Sequence, residues 1–110
     1  METNQIYQGD CLELMKDLPD GSVDFILTDL PYGITDCNWD KVIPFEPMWE
    51  QFKRVTKENA AIALFSQMPF GCDLIQSNRK MFRYEWIWEK SLKVGFLNAK
   101  KCHSENTKTF

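Results

Sequence analysis

Clustered glycines are absent from this 110-residue sequence. Its five glycines, at positions 9, 21, 33, 71 and 95, all stand alone. A tight glycine turn lets the backbone approach a ligand closely, and no other stretch of the chain offers that geometry. A ligand site that depends on such a turn is therefore incomplete in this sequence.

Paired cysteines and histidines are also lacking. The four cysteines, Cys11, Cys37, Cys72 and Cys102, stand far apart, and the single histidine, His103, lies near the end. Because no Cys-x-x-Cys pair occurs, the sequence predicts neither a zinc site nor a disulfide framework. We expect reduced thiols, no metal ligands, and a surface position for the histidine.

Positive charge and long apolar runs are scarce as well. The formal net charge is −3, which argues against a strong nucleic-acid binder because phosphate contacts normally require a dominant basic face. No apolar stretch approaches the roughly 20 residues of a membrane span, and no leading segment resembles a signal peptide. We therefore expect a single small domain in the cytoplasm, without a membrane partner.

Lysines and arginines nevertheless form three local groups. The first lies late in a predicted helix, where cations complement the helix dipole, so a solvated face is the favoured interpretation. For the last group, a nucleic-acid contact and a solvated face are equally supported. The three groups are Lys53, Arg54 and Lys57; Arg79, Lys80 and Arg83; and Lys90, Lys93, Lys100 and Lys101.

Apolar runs alternate with helical periodicities along the chain. The run at 23–27 predicts a buried strand, and the continuous run at 60–65 predicts a strand buried on both faces. Tryptophans 49, 86 and 88 sit at helix or strand spacing and are expected in the core. The alternation predicts an α/β fold with a mostly parallel sheet and right-handed crossovers. The predicted elements are a strand at 6–10, a helix at 11–18, a strand at 23–27, a helix at 44–59, a strand at 60–65, a helix at 69–77 and a strand at 82–89.

An acid and an aromatic residue directly follow the second predicted strand. Residues 28–33 read Thr-Asp-Leu-Pro-Tyr-Gly, which places Asp29 just beyond the carboxyl end of that strand. Open α/β sheets usually bind their ligands at this edge, and Asp10 would end the neighbouring strand. A planar ligand would stack on Tyr32. The sequence therefore predicts a reactive site at this edge.

This stretch resembles the DNA amino-methyltransferases, whose catalytic signature is Asp-Pro-Pro-Tyr or a close variant. Residues 9–12 (Gly-Asp-Cys-Leu) and 22–24 (Ser-Val-Asp) contribute to the likeness. Three further segments resemble the same family. They are residues 38–40 (Asn-Trp-Asp), the segment 65–70 around Phe-Ser-Gln, and the tract 86–100 from Trp-Ile-Trp-Glu-Lys to Gly-Phe-Leu-Asn-Ala-Lys.

The resemblance runs to about residue 103 and is closest to the permuted order in which the catalytic half comes first. It implies a partial Rossmann-like fold, a mostly parallel sheet with flanking helices. Residues 1–103 would form the catalytic half of a methyltransferase domain, and 104–110 a disordered tail. The sequence stops before the glycine-rich turn that holds the methionine part of S-adenosylmethionine, so we expect a truncated or degenerate relative.

The resemblance also implies roles for individual residues. The Asp29 carboxylate and the Leu30 carbonyl would accept hydrogen bonds from the amino group of a flipped-out base, with Tyr32 stacked on its ring. Together with Pro31 these form the catalytic set. Leu30 replaces the usual proline, which relaxes the backbone but keeps the carbonyl. Asp10 and Cys11 would bind S-adenosylmethionine, and residues 65–70 would line the same cleft.

Asp10 and Trp39 also have structural interpretations. Asp10 is equally well explained as the cap of the helix that starts at Cys11, because Asp is a common residue there. Trp39 is better explained by packing, since aromatic residues near sheet edges often only cover the core. For Asp29 and Tyr32 the functional interpretation is favoured.

Three functions compete at this stage. The leading hypothesis is an adenine-specific DNA methyltransferase, since by resemblance the acidic Asp-x-Pro-Tyr form is commoner among adenine enzymes than among cytosine-amino enzymes. The second is an inactive remnant, or a DNA-binding subunit that needs a complementing chain. The third, ranked last, makes Asp10 and Asp29 ligands of a magnesium ion. Missing neighbours would also leave a sheet exposed, which predicts a homodimer or poor solubility.

Overall fold

The computed structural model describes residues 1–91 and 107–109. Strands and helices alternate there, which confirms the predicted α/β class. No helix among these residues combines the length and apolar character needed to cross a membrane. The elements are α1 (Cys11–Leu14), a 3-10 helix (Met15–Asp17), β1 (Val23–Asp29), α2 (Phe45–Val55), β2 (Thr56–Phe65), α3 (Phe70–Ser77), β3 (Ile87–Glu89) and β4 (Thr107–Thr109).

Strands β1 and β2 form a parallel pair joined by the crossover helix α2. Their register places Phe25 opposite Ala61 and Asp29 opposite Phe65. The two carboxyl ends therefore meet at one edge of the sheet. Residues that follow either strand share this edge, which is where open parallel sheets bind ligands.

Helix α2 contributes more buried apolar residues than any other described element, because its apolar residues recur at helical spacing. Met48, Phe52 and Val55 are buried on one face, as an amphipathic helix requires. The helix ends at Val55 rather than at the predicted Asn59. Thr56 is already extended, and its hydroxyl donates to the Phe52 carbonyl at 2.7 Å, so the strand starts four residues earlier than predicted.

Helix α3 closes the core against α2. The indole Nε1 of Trp49 donates to the Ser77 hydroxyl at 2.8 Å, which ties the two helices together. Trp49 also packs against the core cluster, as predicted. The buried members of that cluster are Leu30, Met48, Phe52, Phe70 and Leu74.

Two residues of the first basic group, Arg54 and Lys57, make hydrogen bonds or ion pairs within the chain. Arg54 donates to the Leu18 carbonyl at 2.8 Å and pairs with Asp20 at 2.6 Å. Lys57 pairs with Asp24 at 2.8 Å. Arg54 and Lys57 are thus engaged with the chain's own acids and carbonyls. The predicted solvated face is wrong for Arg54, whose side chain is 27% exposed.

Among the described residues, the β1–β2 sheet packs mainly through one face. Ile26 and Ile62 pack towards the core, whereas Phe25 and Leu27 are 54% and 56% exposed. The prediction that both strands are buried is therefore wrong. Burial of the second face needs a covering layer. Trp88 packs on Phe65 at one end of this face, with ring centroids 5.8 Å apart, and leaves Phe25 and Leu27 exposed.

Two predicted strands differ from the structure. Residues 6–10 form no strand, because Ile6 is fully exposed and Gly9 adopts φ +151°. Of residues 82–89, only β3 is a strand, and it pairs antiparallel with β4 in a separate sheet. Trp86 and Trp88 are 58% and 51% exposed, so their predicted core positions are wrong.

Strand β4 lies within the segment expected to be a disordered tail. The division of the chain at residue 103 stays a prediction. Several other predictions fall on positions outside the described residues. These are the cysteine at 102, the histidine at 103, the lysines at 93, 100 and 101, and most of the tract 86–100.

Candidate functional site

The predicted acid and aromatic residue meet at the end of β1. Asp29 is the last residue of the strand, and its Oδ1 accepts a hydrogen bond from the Tyr32 hydroxyl at 2.9 Å. Leu30 turns into the core and is 6% exposed. The burial of Leu30 anchors the turn, so the side chains of Asp29 and Tyr32 emerge from a fixed backbone.

These residues line an open cleft of about 340 Å³. Gln67, which follows β2, also reaches it, whereas the other residues of the segment 65–70 are not among its lining. Its walls combine a carboxylate, an amide and aromatic rings, a set that suits a planar, hydrogen-bonding ligand. The lining residues are Asp29, Leu30, Pro31, Tyr32, Ile34, Thr35, Trp39, Asp40 and Gln67.

The Tyr32 ring is supported from the core. Its centroid lies 5.0 Å from that of Phe70, with the ring planes tilted by 32°. Phe70 is 5% exposed and also packs against Phe45, with the two ring centroids 5.8 Å apart. An aromatic residue backed by buried rings keeps its orientation, so Tyr32 offers the cleft a preset stacking surface.

Asp40 fixes the loop that follows the turn. Its carboxylate accepts hydrogen bonds from the backbone N–H groups of Gly33 (2.9 Å), Ile34 (3.0 Å) and Thr35 (2.7 Å), and from the Thr35 hydroxyl at 2.7 Å. The hydroxyl of Thr35 and then the N–H of Gly33 are the main causes that hold the pKa of this carboxyl below its usual value. Asp40 is 7% exposed, and these hydrogen bonds keep its carboxylate ionised at neutral pH although burial opposes the charge.

Trp39 and Asp40 also line the cleft, although neither was predicted as a site residue. Trp39 lines the cleft and is 74% exposed, so its predicted packing role is wrong. Burial depends on tertiary neighbours, which the local sequence does not reveal. The available signal was position, because both residues belong to the segment 38–40 that resembles the methyltransferases.

Asp10 was predicted to end a strand beside β1, but no strand forms at residues 6–10. Asp10 precedes α1, and its Oδ1 accepts from the N–H of Leu12 at 2.9 Å, which confirms the capping interpretation. No strand places it beside Asp29. Partial burial, and then the nearby Asp10 charge, raise the pKa of the Cys11 thiol, so this thiol is protonated at neutral pH.

Cys11 lines a second, largely apolar cavity of about 230 Å³. Leu30 and Pro31 line this cavity and the first cleft alike. Cys11, predicted to bind the cofactor, thus lines a cavity that is bordered by Leu30 and Pro31 of the predicted catalytic set. The remaining lining residues are Met15, Ile26, Thr28, Ile43, Met48 and Phe52.

No group of three or more His, Cys, Asp or Glu side chains placed to hold a metal ion occurs among residues 1–91 and 107–109. The Asp40 carboxylate in the cleft accepts hydrogen bonds from N–H and O–H groups of its own loop. The arrangement of the described residues therefore favours hydrogen bonding and stacking as the chemistry of this cleft.

Comparison with known proteins finds type II methyltransferases. The chain is 30% identical over 97 residues to type II methyltransferase M.BamHI of Bacillus amyloliquefaciens, covering 78% of this chain and 23% of that protein. It is 25% identical over 120 positions to M1.MboII of Moraxella bovis, covering 99% and 45%. It is 38% identical over 66 residues to M.BglII of Bacillus subtilis, covering 54% and 18%. No family model matches the chain.

The chain spans less than half the length of each of these relatives. The α/β architecture with a parallel strand pair is compatible with part of a methyltransferase fold. Sequence similarity and architecture agree with the resemblance inferred from residues 28–33. In sequence, this chain is similar to the type II methyltransferases.

Proposed function

We propose that this chain carries the catalytic half of an adenine-N6 DNA methyltransferase that uses S-adenosylmethionine. The observation that carries the proposal is the Asp29–Tyr32 pair, hydrogen-bonded at 2.9 Å in a cleft at the carboxyl end of β1. The similarity to three type II methyltransferases supports the reaction class. The proposed partner is DNA, the location is the cytoplasm, and the catalytic half comprises residues 1–103.

In the proposed reaction the target adenine leaves the duplex, because its amino group is otherwise engaged in pairing. A carboxylate has two oxygens, so Asp29 accepts from the Tyr32 hydroxyl and from the amino group together. The Leu30 carbonyl accepts the second amino hydrogen, and the ring of Tyr32 stacks on the base. These contacts draw the nitrogen lone pair out of conjugation and prepare it for attack.

S-adenosylmethionine, when bound, supplies a methyl group activated by its sulfonium. The apolar cavity beside the cleft fits a planar heterocycle, and its protonated Cys11 thiol adds no charge. In this proposal Cys11 lines the adenine pocket and Asp10 accepts a hydrogen bond from the adenine. Leu30 and Pro31 separate the two ligands and fix their relative placement, which is a large source of acceleration in two-substrate reactions.

Adenine is proposed over cytosine as the target because of the acidic first position of the turn. Asp29 stands where, by resemblance, cytosine-amino enzymes more often carry serine. Leu30 contributes only its carbonyl in this scheme, so the departure from proline does not change the proposed contacts. Pro31 keeps the backbone between Leu30 and Tyr32 rigid.

A second function is favoured by the exposed sheet face. Phe25 and Leu27 leave more than half of their surface uncovered, and such faces mark interaction sites. The chain would then act as a DNA-binding subunit that pairs with a second copy or a complementing chain. In that case the isolated chain would not bind the cofactor.

The proposal is tested by calorimetric titration of the chain with S-adenosylmethionine. Asp10→Ser removes the carboxylate but keeps a side-chain oxygen that caps α1, and Asp17→Ser changes an exposed acid nearby as the control. We expect saturable binding by the wild type and the control, weakened at least about tenfold in Asp10→Ser by loss of the hydrogen bond. A folded chain that does not bind would instead support the subunit function.

A further inference from the structure

The loop at residues 33–40 is held more firmly than a connection requires. Four hydrogen bonds converge on the Asp40 carboxylate from Gly33, Ile34 and Thr35. The N–H of Asp40 also donates to the Cys37 carbonyl at 3.0 Å. The loop therefore folds back on itself as a closed ring beside the catalytic turn.

Trp39 is the residue that directly precedes Asp40 in this hydrogen-bonded loop. This indole is 74% exposed, although tryptophan is among the side chains that gain most from burial. It lines the same cleft as Tyr32 and Asp29. Packing does not explain its place, because Trp39 does not belong to the core cluster of the described residues. A ligand in the cleft would give the exposed ring a partner.

The chemistry of the cleft indicates which ligand this is. Two aromatic side chains, Tyr32 and Trp39, border a carboxylate and the Gln67 amide. Aromatic rings stack on nucleobases whatever their sequence, and the polar groups read the base edge. Asp40 adds little repulsion towards a polynucleotide, because its charge is satisfied by donors from its own loop.

We propose that Trp39 is a base-stacking residue of this cleft and that Asp40 is the positioning residue that holds Trp39 in place. The inference rests on the proposed function, since it assigns a further contact to the same flipped base. Trp39 and Asp40 both lie outside the proposed catalytic turn at residues 28–33, so they add to the contacts assigned above.

The test measures quenching of 2-aminopurine, a fluorescent adenine analogue, within a short single-stranded DNA oligonucleotide. A single strand removes the cost of extracting the base from a duplex. Trp39→Leu removes the ring, and Trp39→Phe retains a smaller one. Trp86→Leu is the matched control, because Trp86 is also largely exposed but does not line the cleft.

We expect the wild type and Trp86→Leu to quench the probe with equal affinity. Trp39→Leu should bind about tenfold more weakly, which is the usual effect of losing one stacked ring, and Trp39→Phe should lie between them. If Trp39→Leu quenches as the wild type does, the stacking role is overturned. If a wild type that binds S-adenosylmethionine leaves the probe unquenched, the inference fails while the proposed function stands.

Asp40 needs a readout that separates positioning from stability. Asp40→Asn and the milder Thr35→Ala should both weaken quenching, while the double variant Asp40→Asn with Trp39→Leu should bind no worse than Trp39→Leu alone. Such non-additivity identifies residues that act through one another. Additive losses, or full quenching by both loop variants, would overturn the positioning role. A wild type that binds neither the probe nor S-adenosylmethionine would overturn the inference and the proposed function together.

Discussion

Gly33 lies where the chain accepts no other residue without strain. Its φ is +73°, and a Cβ atom would lie 2.9 Å from Cγ2 of Val42. Gly21 has a similar φ of +60°, but a Cβ atom added to it would meet no other atom within 4 Å. We predict that Gly33→Ala lowers the free energy of unfolding by about 2 kcal/mol and Gly21→Ala by about 1 kcal/mol. Urea denaturation measures both, and equal losses would contradict the steric argument.

Asp40 predicts a specific dependence of stability on pH. Its pKa in the folded chain is lower than the ordinary value of 3.8, mainly because of the Thr35 hydroxyl and the Gly33 N–H. The carboxylate therefore contributes its full stabilisation above the unfolded pKa, and this is lost as the pH falls through the lower folded value. Between roughly pH 5 and pH 2, unfolding free energy should fall more steeply in the wild type than in Asp40→Asn.

Parallel slopes for the two proteins in that range would show that Asp40 does not hold the loop through its charge. Asp36→Asn is the control, because Asp36 is an exposed acid of the same loop. We expect its slope to match that of the wild type.

Individual residues differ in how far the sequence revealed them. Asp29 and Tyr32 were predicted because a strand followed by an acid, a proline and an aromatic residue has a local signature. Trp39 was assigned to packing, because nothing local distinguishes an exposed indole from a buried one. The role of Asp40 was missed, since its partners follow from the path of a loop that has no periodic pattern.

Helix α2 is hydrogen-bonded to the N-terminal helical segment through the side chain of Arg54. Arg54 donates to the Met15 and Leu18 carbonyls, each at 2.8 Å. Met15 begins the 3-10 helix and Leu18 caps its end. We predict that Arg54→Lys lowers the free energy of unfolding by about 2 kcal/mol, because lysine cannot span both acceptors. Lys53→Gln, an exposed change on the same helix, should stay within about 0.5 kcal/mol. Equal effects in thermal or urea unfolding would contradict this role.

The elements divide in the same way into predictable and unpredictable ones. Helix α2 and strand β2 have strong periodic or continuous apolar patterns, and both formed with errors only at their boundary. The segment 6–10 has strand-like residues, but strands form only when a partner completes their hydrogen bonds. The sequence carried no information about that partner. For the same reason, only β3 formed within residues 82–89.

At the scale of the whole molecule, one face of the β1–β2 sheet is largely exposed among the described residues. A parallel pair of strands normally has both faces covered, yet Phe25 and Leu27 are more than half exposed. We predict that the chain self-associates through this face in sedimentation velocity experiments. Phe25→Lys should shift the distribution to monomer, whereas Tyr84→Lys, which changes an equally exposed aromatic residue elsewhere, should not. A monodisperse wild-type monomer would contradict the prediction.

Methyl transfer to adenine is the central claim, and the nucleosides of treated DNA test it most directly. Unmethylated genomic DNA is incubated with the chain and S-adenosylmethionine, digested, and analysed by mass spectrometry. We predict N6-methyladenine with the wild type and at least about 100-fold less with Asp29→Ala, which removes the acceptor for the amino group. N4-methylcytosine in its place, no methylated base, or full activity in Asp29→Ala would contradict the account.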